Sequence, residues 1–224
     1  TGGIVGLARD TTIAGCANTG VVEARGSYSN SYASDVAGIV GVLNGNVIVK
    51  NCYNTGEIKV TCDKLKEGTA GGIAGSNTSA RNTVSDCYNL GAVTVKYNGN
   101  SDTYTARVGG IMGYISAYGN TTVSNCYSVG TLTSTTGTGT SYIGGVVGSN
   151  AYNNTVENCY YLDSTATKAV GNGGGIVDEA TGPKTAAQLG DGTVVLKLLI
   201  NNRTDSEHPW NSQCQYLAAA GKTL

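Results

Sequence analysis

Small aliphatic pairs held between glycines recur along the chain, each followed by a polar stretch and then by a cysteine among turn-forming residues. The first box reads Gly2-Gly3-Ile4-Val5-Gly6, Ala37-Gly38-Ile39-Val40-Gly41, Gly71-Gly72-Ile73-Ala74-Gly75, Gly109-Gly110-Ile111-Met112-Gly113 and Gly144-Gly145-Val146-Val147-Gly148. The second reads Gly15-Cys16-Ala17-Asn18-Thr19-Gly20, Asn51-Cys52-Tyr53-Asn54-Thr55-Gly56, Asp86-Cys87-Tyr88-Asn89-Leu90-Gly91, Asn125-Cys126-Tyr127-Ser128-Val129-Gly130 and Asn158-Cys159-Tyr160-Tyr161-Leu162-Asp163. Successive cysteines of this box stand 36, 35, 39 and 33 residues apart. A repeat of that period predicts an all-β parallel solenoid of about five coils, each burying its apolar face only against its neighbours.

Each unit parses into three short strands. One is the glycine box. A second runs from the aliphatic three residues before the cysteine (Ile13, Val49, Val84, Val123, Val156) into the Cys-Tyr pair. The third follows the turn glycine, where Ile58/Val60 and Val93/Val95 alternate onto one face. Gly20, Gly56, Gly91 and Gly130 are expected to turn the coil in positive φ, and the Asn/Asp before each cysteine and the Asn two after it suit corners that stack into amide ladders. Unit length varies in Ser/Thr/Asn/Gly-rich stretches, expected as loops on one side around residues 26–35, 61–69, 97–106 and 134–142.

Composition narrows the function classes. Net charge is −1 with 13% charged residues, so no basic surface draws nucleic acid. The longest aliphatic cluster, Val194 to Ile200, contains Lys197 and is far shorter than the roughly 20 residues that span a bilayer. Thirty-four glycines without a Gly-X-Y period exclude collagen, and the Val, Ile and Tyr content excludes a disordered linker. The start at Thr1-Gly2-Gly3, mid-pattern, is expected of a fragment or processed chain that continues upstream into further units.

The two boxes together resemble the GLUG repeat of bacterial surface proteins, a family that includes adhesin-like proteins and the non-catalytic flanks of some immunoglobulin A-cleaving metalloproteases. The resemblance covers residues 1 to 164. It implies an exported, extracellular protein of the bacterial cell surface or cell wall, built as a β-solenoid (β-helix).

Residues 181–224 change character and are expected to form a capping segment behind the solenoid of residues 1–180. Thr185 is an N-cap for Ala186 to Leu189, and a second helical run extends from Thr193 to Ile200 with residues 195, 196, 199 and 200 on one face. An open parallel stack exposes strand edges, so this segment reads as the cover of that end, with Trp210 and Tyr216 beneath it.

Candidate chemistry is sparse. Cys16, Cys52, Cys87, Cys126 and Cys159 share one repeat position and form a column of small buried hydrophobes, not the convergent mixed ligands a metal needs. Cys62 and Cys214 lie off the column and either pair or stay free. The tyrosines after the cysteines (Tyr53, Tyr88, Tyr127, Tyr160) form a neighbouring column that is either core or an exposed aromatic ladder able to stack on sugar rings. Cys and Tyr face opposite ways in a regular strand, with the aliphatic three before on the Tyr side, unless a corner at the Asn resets the parity. His208 is the only histidine and sits beside Pro209 and Trp210, away from any nucleophile elbow. No two units carry acids at matching positions of these three strands, as a glycan-cleaving solenoid would require.

The reading is a non-catalytic structural or adhesive module, a rigid stalk or recognition surface, with no cofactor, no metal and no catalytic residue. Its partners are surface glycans or proteins of host or microbe, without nucleic acid and without a membrane-spanning segment. The alternative is a carbohydrate-binding module using loop tyrosines Tyr28, Tyr32, Tyr97, Tyr104 and Tyr142. A polysaccharide-degrading enzyme comes third.

Overall fold

The computed structural model describes residues 1–26, 33–63, 66–78, 81–117, 120–194 and 198. It is a parallel β-solenoid whose strands form five sheets running along the stack. The box sheet holds Val5–Arg9, Val40–Asn44, Ala74–Asn77, Met112–Ile115, Val147–Asn150 and Val170–Gly173. The valine sheet holds Thr12–Ala14, Ile48–Lys50, Thr83–Ser85, Thr122–Ser124, Thr155–Glu157 and Ile176–Val177. The tyrosine sheet holds Ala17–Asn18, Tyr53–Asn54, Tyr88–Asn89, Tyr127–Ser128, Tyr160–Leu162 and Gly182–Lys184. An exit sheet (Val22–Gly26, Ile58–Cys62, Val93–Tyr97, Leu132–Thr135) carries the chain outward, and a return sheet (Ala33–Ala37, Glu67–Gly71, Thr105–Gly109, Thr140–Gly144) brings it back to the next box.

Five strands per coil replace the three read from the sequence. The return strand was hidden because its outward positions are polar and its inward ones small. Glycine, alanine and valine at Gly68, Ala70, Ala106 and Val108 fill the inside, whereas Thr69, Thr105 and Arg107 point out. The expected loops at 26–35, 61–69, 97–106 and 134–142 are therefore partly strand. The Cys-Tyr run also divides in two, because the residue before each cysteine takes a left-handed corner: Asn51 (φ 54°), Asp86 (55°), Asn125 (52°) and Asn158 (47°), with Gly15 (65°) in the first unit. Asn and Asp tolerate this region better than other side-chain-bearing residues.

The turn glycines are needed for a different reason from the one expected. Gly20, Gly56, Gly91 and Gly130 do not have positive φ. A Cβ at Gly56 would instead collide with the carbonyl oxygen of Gly20, and one at Gly91 with that of Gly56. At Gly56, Gly91 and Gly130 close approach of successive coils, not backbone handedness, forbids a side chain, whereas a Cβ at Gly20 on the first coil would meet only Asn18 Oδ1 at 4.0 Å.

In cross-section the coil has two lobes. Ile39, Val40, Leu43, Val47, Val49 and Cys52, with their equivalents, fill the lobe between the box, valine and tyrosine sheets. Val22, Val36, Ile58, Val60, Ala70, Val93, Val95, Ala106 and Val108 fill the lobe between the exit and return sheets. The waist is closed by the second glycine of each box against the amide ladder: a Cβ at Gly38 would strike Asn54, and one at Gly72 would strike Asn89. Asn18, Asn54 and Asn89 donate from Nδ2 to Gly20, Gly56 and Gly91 carbonyls at 2.8, 2.8 and 2.9 Å, and along the stack to the next Asn or Ser.

Behind the solenoid, Thr185 caps the helix Ala186–Gly190 through a capping box with Gln188. Leu189, Val194 and Leu198 pack on the outward tyrosines of the tyrosine sheet, so these three residues cover a side face. Trp210, Tyr216, His208 and Cys214 lie outside the described residues, as do 195, 196, 199 and 200.

Candidate functional site

Three side-chain columns run the length of the stack, and the waist decides what each can do. Cys52, Cys87, Cys126 and Cys159 point into the first lobe and are fully buried, while Cys16 on the first coil is half-buried. Each buried thiol donates to the carbonyl two residues earlier, at 3.1 Å for Cys52, 3.0 Å for Cys87, 3.1 Å for Cys126 and 3.2 Å for Cys159. Burial pushes the Cys126 thiol well up, and the hydrogen bond with Cys87 does the same for Cys52. Sealed from solvent and bonded as donors, these thiols act as packing groups. All six described cysteines are free thiols, Cys62 among them, with burial pushing its thiol up to about 11. Among the described residues no cluster of three His, Cys, Asp or Glu can hold a metal ion.

The tyrosine column is on the opposite side of its strand from the cysteines. Because the left-handed Asn corner resets the strand parity, the aliphatic three residues before joins the cysteine in the core. Tyr53 and Tyr88 stack with centroids 5.0 Å apart, and Tyr88 and Tyr127 at 5.2 Å, with planes within 7°. Lys184 closes the far end, its Nζ 5.2 Å from the ring centre of Tyr160. Tyr88, Tyr127 and Tyr160 are buried beneath Val194 and Leu198. This ladder is therefore a third core, shared with Leu189, Val194 and Leu198.

The third column is the outer face of the return sheet, where Asp35, Thr69, Arg107 and Tyr142 stand in register on four successive strands. Their sheet turns sharply into the box sheet, and the two outer faces converge into a groove along the stack. The box glycines make that angle possible: a Cβ at Gly75 would lie 3.1 Å from Val36 N, and one at Gly148 2.7 Å from Val108 N. Across the groove, Ser76 hydrogen-bonds the Asp35 carboxylate and Arg107 sits over the Tyr114 ring at 4.5 Å, while Thr69 engages Asp35 from the next strand of the same column. The Arg107 guanidinium also grips Glu67 in two hydrogen bonds, of 2.8 and 3.3 Å, with its Nε left without a partner. Burial raises the Asp35 carboxyl above the ordinary carboxylate value, opposed by the hydrogen bonds from Ser76 and Thr69 and by the Arg107 charge.

The sequence candidates scatter relative to this groove. Tyr97 is buried in the second lobe, where its hydroxyl donates to the Thr105 carbonyl at 2.8 Å and its ring stacks on the half-buried Tyr104 at 4.5 Å. Tyr142 is half-buried and belongs to the groove column. Tyr28 and Tyr32 lie outside the described residues. Asp35, Glu67, Arg107 and Tyr114 were missed, although a signal existed. Asp35, Thr69, Arg107 and Tyr142 all stand two residues before the first residue of a glycine box.

No protein-family model matches the chain, and no curated protein matches it. Among solved structures it is similar to the crystal structure of a candidate immunoglobulin A1 protease from Bacteroides ovatus. The TM-score is 0.60 and the identity 25%, over 88% of this chain and 57% of that one. The chain thus spans little more than half the length of that protein, and the likeness is one of solenoid fold.

Proposed function

We propose that the chain is a structural and adhesive module of an exported bacterial surface protein built from GLUG-type repeats, acting as a rigid stalk that presents a recognition face. The observation that carries this reading is the unbroken register of the stack. Columns of identical residue types (Val49/Val84/Val123/Val156, Tyr53/Tyr88/Tyr127, Asn18/Asn54/Asn89) continue from coil to coil with every internal strand paired on both sides. Such a quasi-one-dimensional array holds length and direction without a hinge. The similarity to a bacterial protein with a solenoid of the same kind supports the setting. No described helix is long and apolar enough to cross a membrane.

A non-catalytic reading is supported by the state of the groove acids. Asp35 is engaged by the hydroxyls of Ser76 and Thr69, and both oxygens of Glu67 are held by Arg107, so both acids are tied into contacts within the chain. The experiment is mild protease shaving of intact cells that produce the parent protein. Peptides of this chain released from unbroken cells support surface display; their retention until lysis refutes it.

A further inference from the structure

We infer that the groove between the return and box sheets is a binding site for a neutral oligosaccharide, lying along the stack axis and crossing the strands. This rests on the recognition face proposed above and assigns it a place and a ligand class. Asp35, Ser76, Glu67, Arg107, Tyr114 and Tyr142 line the path. Four register positions at the rung spacing give it a length of roughly 14 Å.

Three features select the ligand. First, the groove offers side chains and no backbone. The strands at its floor, Glu67–Gly71, Thr105–Gly109, Ala74–Asn77 and Met112–Ile115, are paired on both sides, so an extended peptide finds no sheet edge to join. Second, the groups left partly exposed are planar and polar beside a half-buried tyrosine ring: the Asp35 carboxylate, the Glu67–Arg107 pair and the Tyr114 and Tyr142 hydroxyls. Vicinal sugar hydroxyls bond such groups, while the C–H face of a pyranose packs on an aromatic face. The guanidinium is fixed by Glu67 and by the Tyr114 ring. A site whose polar groups are already held loses little rotamer freedom when a ligand arrives. Third, the one guanidinium is already spent on Glu67, and the Thr1 ammonium lies beside Asp35, so among the described residues no cation along the path stands unpaired. An acidic sugar would find no free cation to pair with, so the ligand is uncharged.

The test uses the whole 224-residue chain on an array of neutral, sialylated and sulfated glycans. Titration of the best neutral binder against variants follows. Saturable binding to neutral glycans is expected, weakened tenfold or more by Tyr142→Ala and unchanged by Tyr104→Ala, which lies at the far end of the return strand. Circular dichroism and melting establish that both variants remain folded. Arg107→Lys, which keeps the charge but loses the fork, should also weaken binding. Silence across the neutral glycans, binding confined to sialylated or sulfated ones, or loss with Tyr104→Ala but not Tyr142→Ala, overturns the assignment. Any of these leaves the surface-display result untouched, so failure of the groove and failure of the stalk are separately visible.

Discussion

Asn54 donates its side-chain amide to Oδ1 of Asn89 at 2.8 Å, although 35 residues separate them in the chain. Both are fully buried at the waist, and Asn89 passes the interaction on by donating to the Gly91 carbonyl and to Ser128 Oγ. Here a side-chain amide bond runs beside the backbone bond from Leu90 N to the Asn54 carbonyl (2.8 Å) and reinforces coil spacing at the point where the two lobes meet.

Replacing Asn89 by Leu therefore strands several buried groups at once. The loss is expected to be about 2–4 kcal/mol, from two or more unsatisfied partners. Asn89→Ser should cost less, because Ser128 already occupies this register position on the next coil. Urea unfolding of the two variants checks the order; equal destabilisation would mean that the ladder contributes shape and not hydrogen bonding.

Two glycine substitutions should behave oppositely. At Gly56 a Cβ meets the Gly20 carbonyl, and the coils cannot separate without breaking the ladder. Gly56→Ala is expected to cost about 3 kcal/mol or more, in the range of severe overpacking. At Gly6 a Cβ meets nothing within 4 Å and φ is not positive, so Gly6→Ala should be neutral or stabilising by about 0.4–1 kcal/mol. Thermal melts of both proteins decide the matter.

The Asp35 carboxyl carries a pH signature. Its pKa in the fold lies above the ordinary 3.8, chiefly through burial. The folded state thus binds this proton more tightly than the unfolded chain. The stability it contributes is complete below the ordinary value and is lost as pH rises through the raised one. Asp35→Asn, which mimics the protonated form, should gain on the wild type over that rise and converge with it in acid. Melting temperatures measured from acid to neutral pH test this; a gap that widens toward acid would contradict it.

Thiol access should follow the stack. Cys16 is half-buried, whereas Cys52, Cys87, Cys126 and Cys159 are sealed and hydrogen-bonded as donors. Brief iodoacetamide treatment of the native protein is expected to label Cys16 ahead of those four, read by peptide mass spectrometry. Early labelling of Cys87 would show that the coils open locally.

Much of this architecture could be read from the chain. A period near 35 residues, glycines at equivalent positions and one cysteine per unit require stacked coils, because each unit's apolar strip is too small to be buried alone. The Thr185 cap was equally local, since it depends on Thr185 and Gln188 three residues apart. Local spacing carries information about what repeats and where helices begin.

What the chain order could not carry was the shape of the coil in section. The left-handed turn at Asn51 puts Cys52 with Val49 and sends Tyr53 outward, a choice no alternation pattern reveals. The return strand escaped notice because glycine, alanine and threonine look like loop until Val36 and Val108 are seen facing the exit sheet. Covering the tyrosine ladder fell to Val194 and Leu198, which join it only through packing between distant segments. The groove formed by Asp35, Arg107 and Tyr142 likewise exists because two outer faces meet at a re-entrant angle. The repeat and its ladders follow from identity at equal spacing and are legible in the chain alone; which ladder became core and which became surface depends on the angles between sheets, which only packing sets.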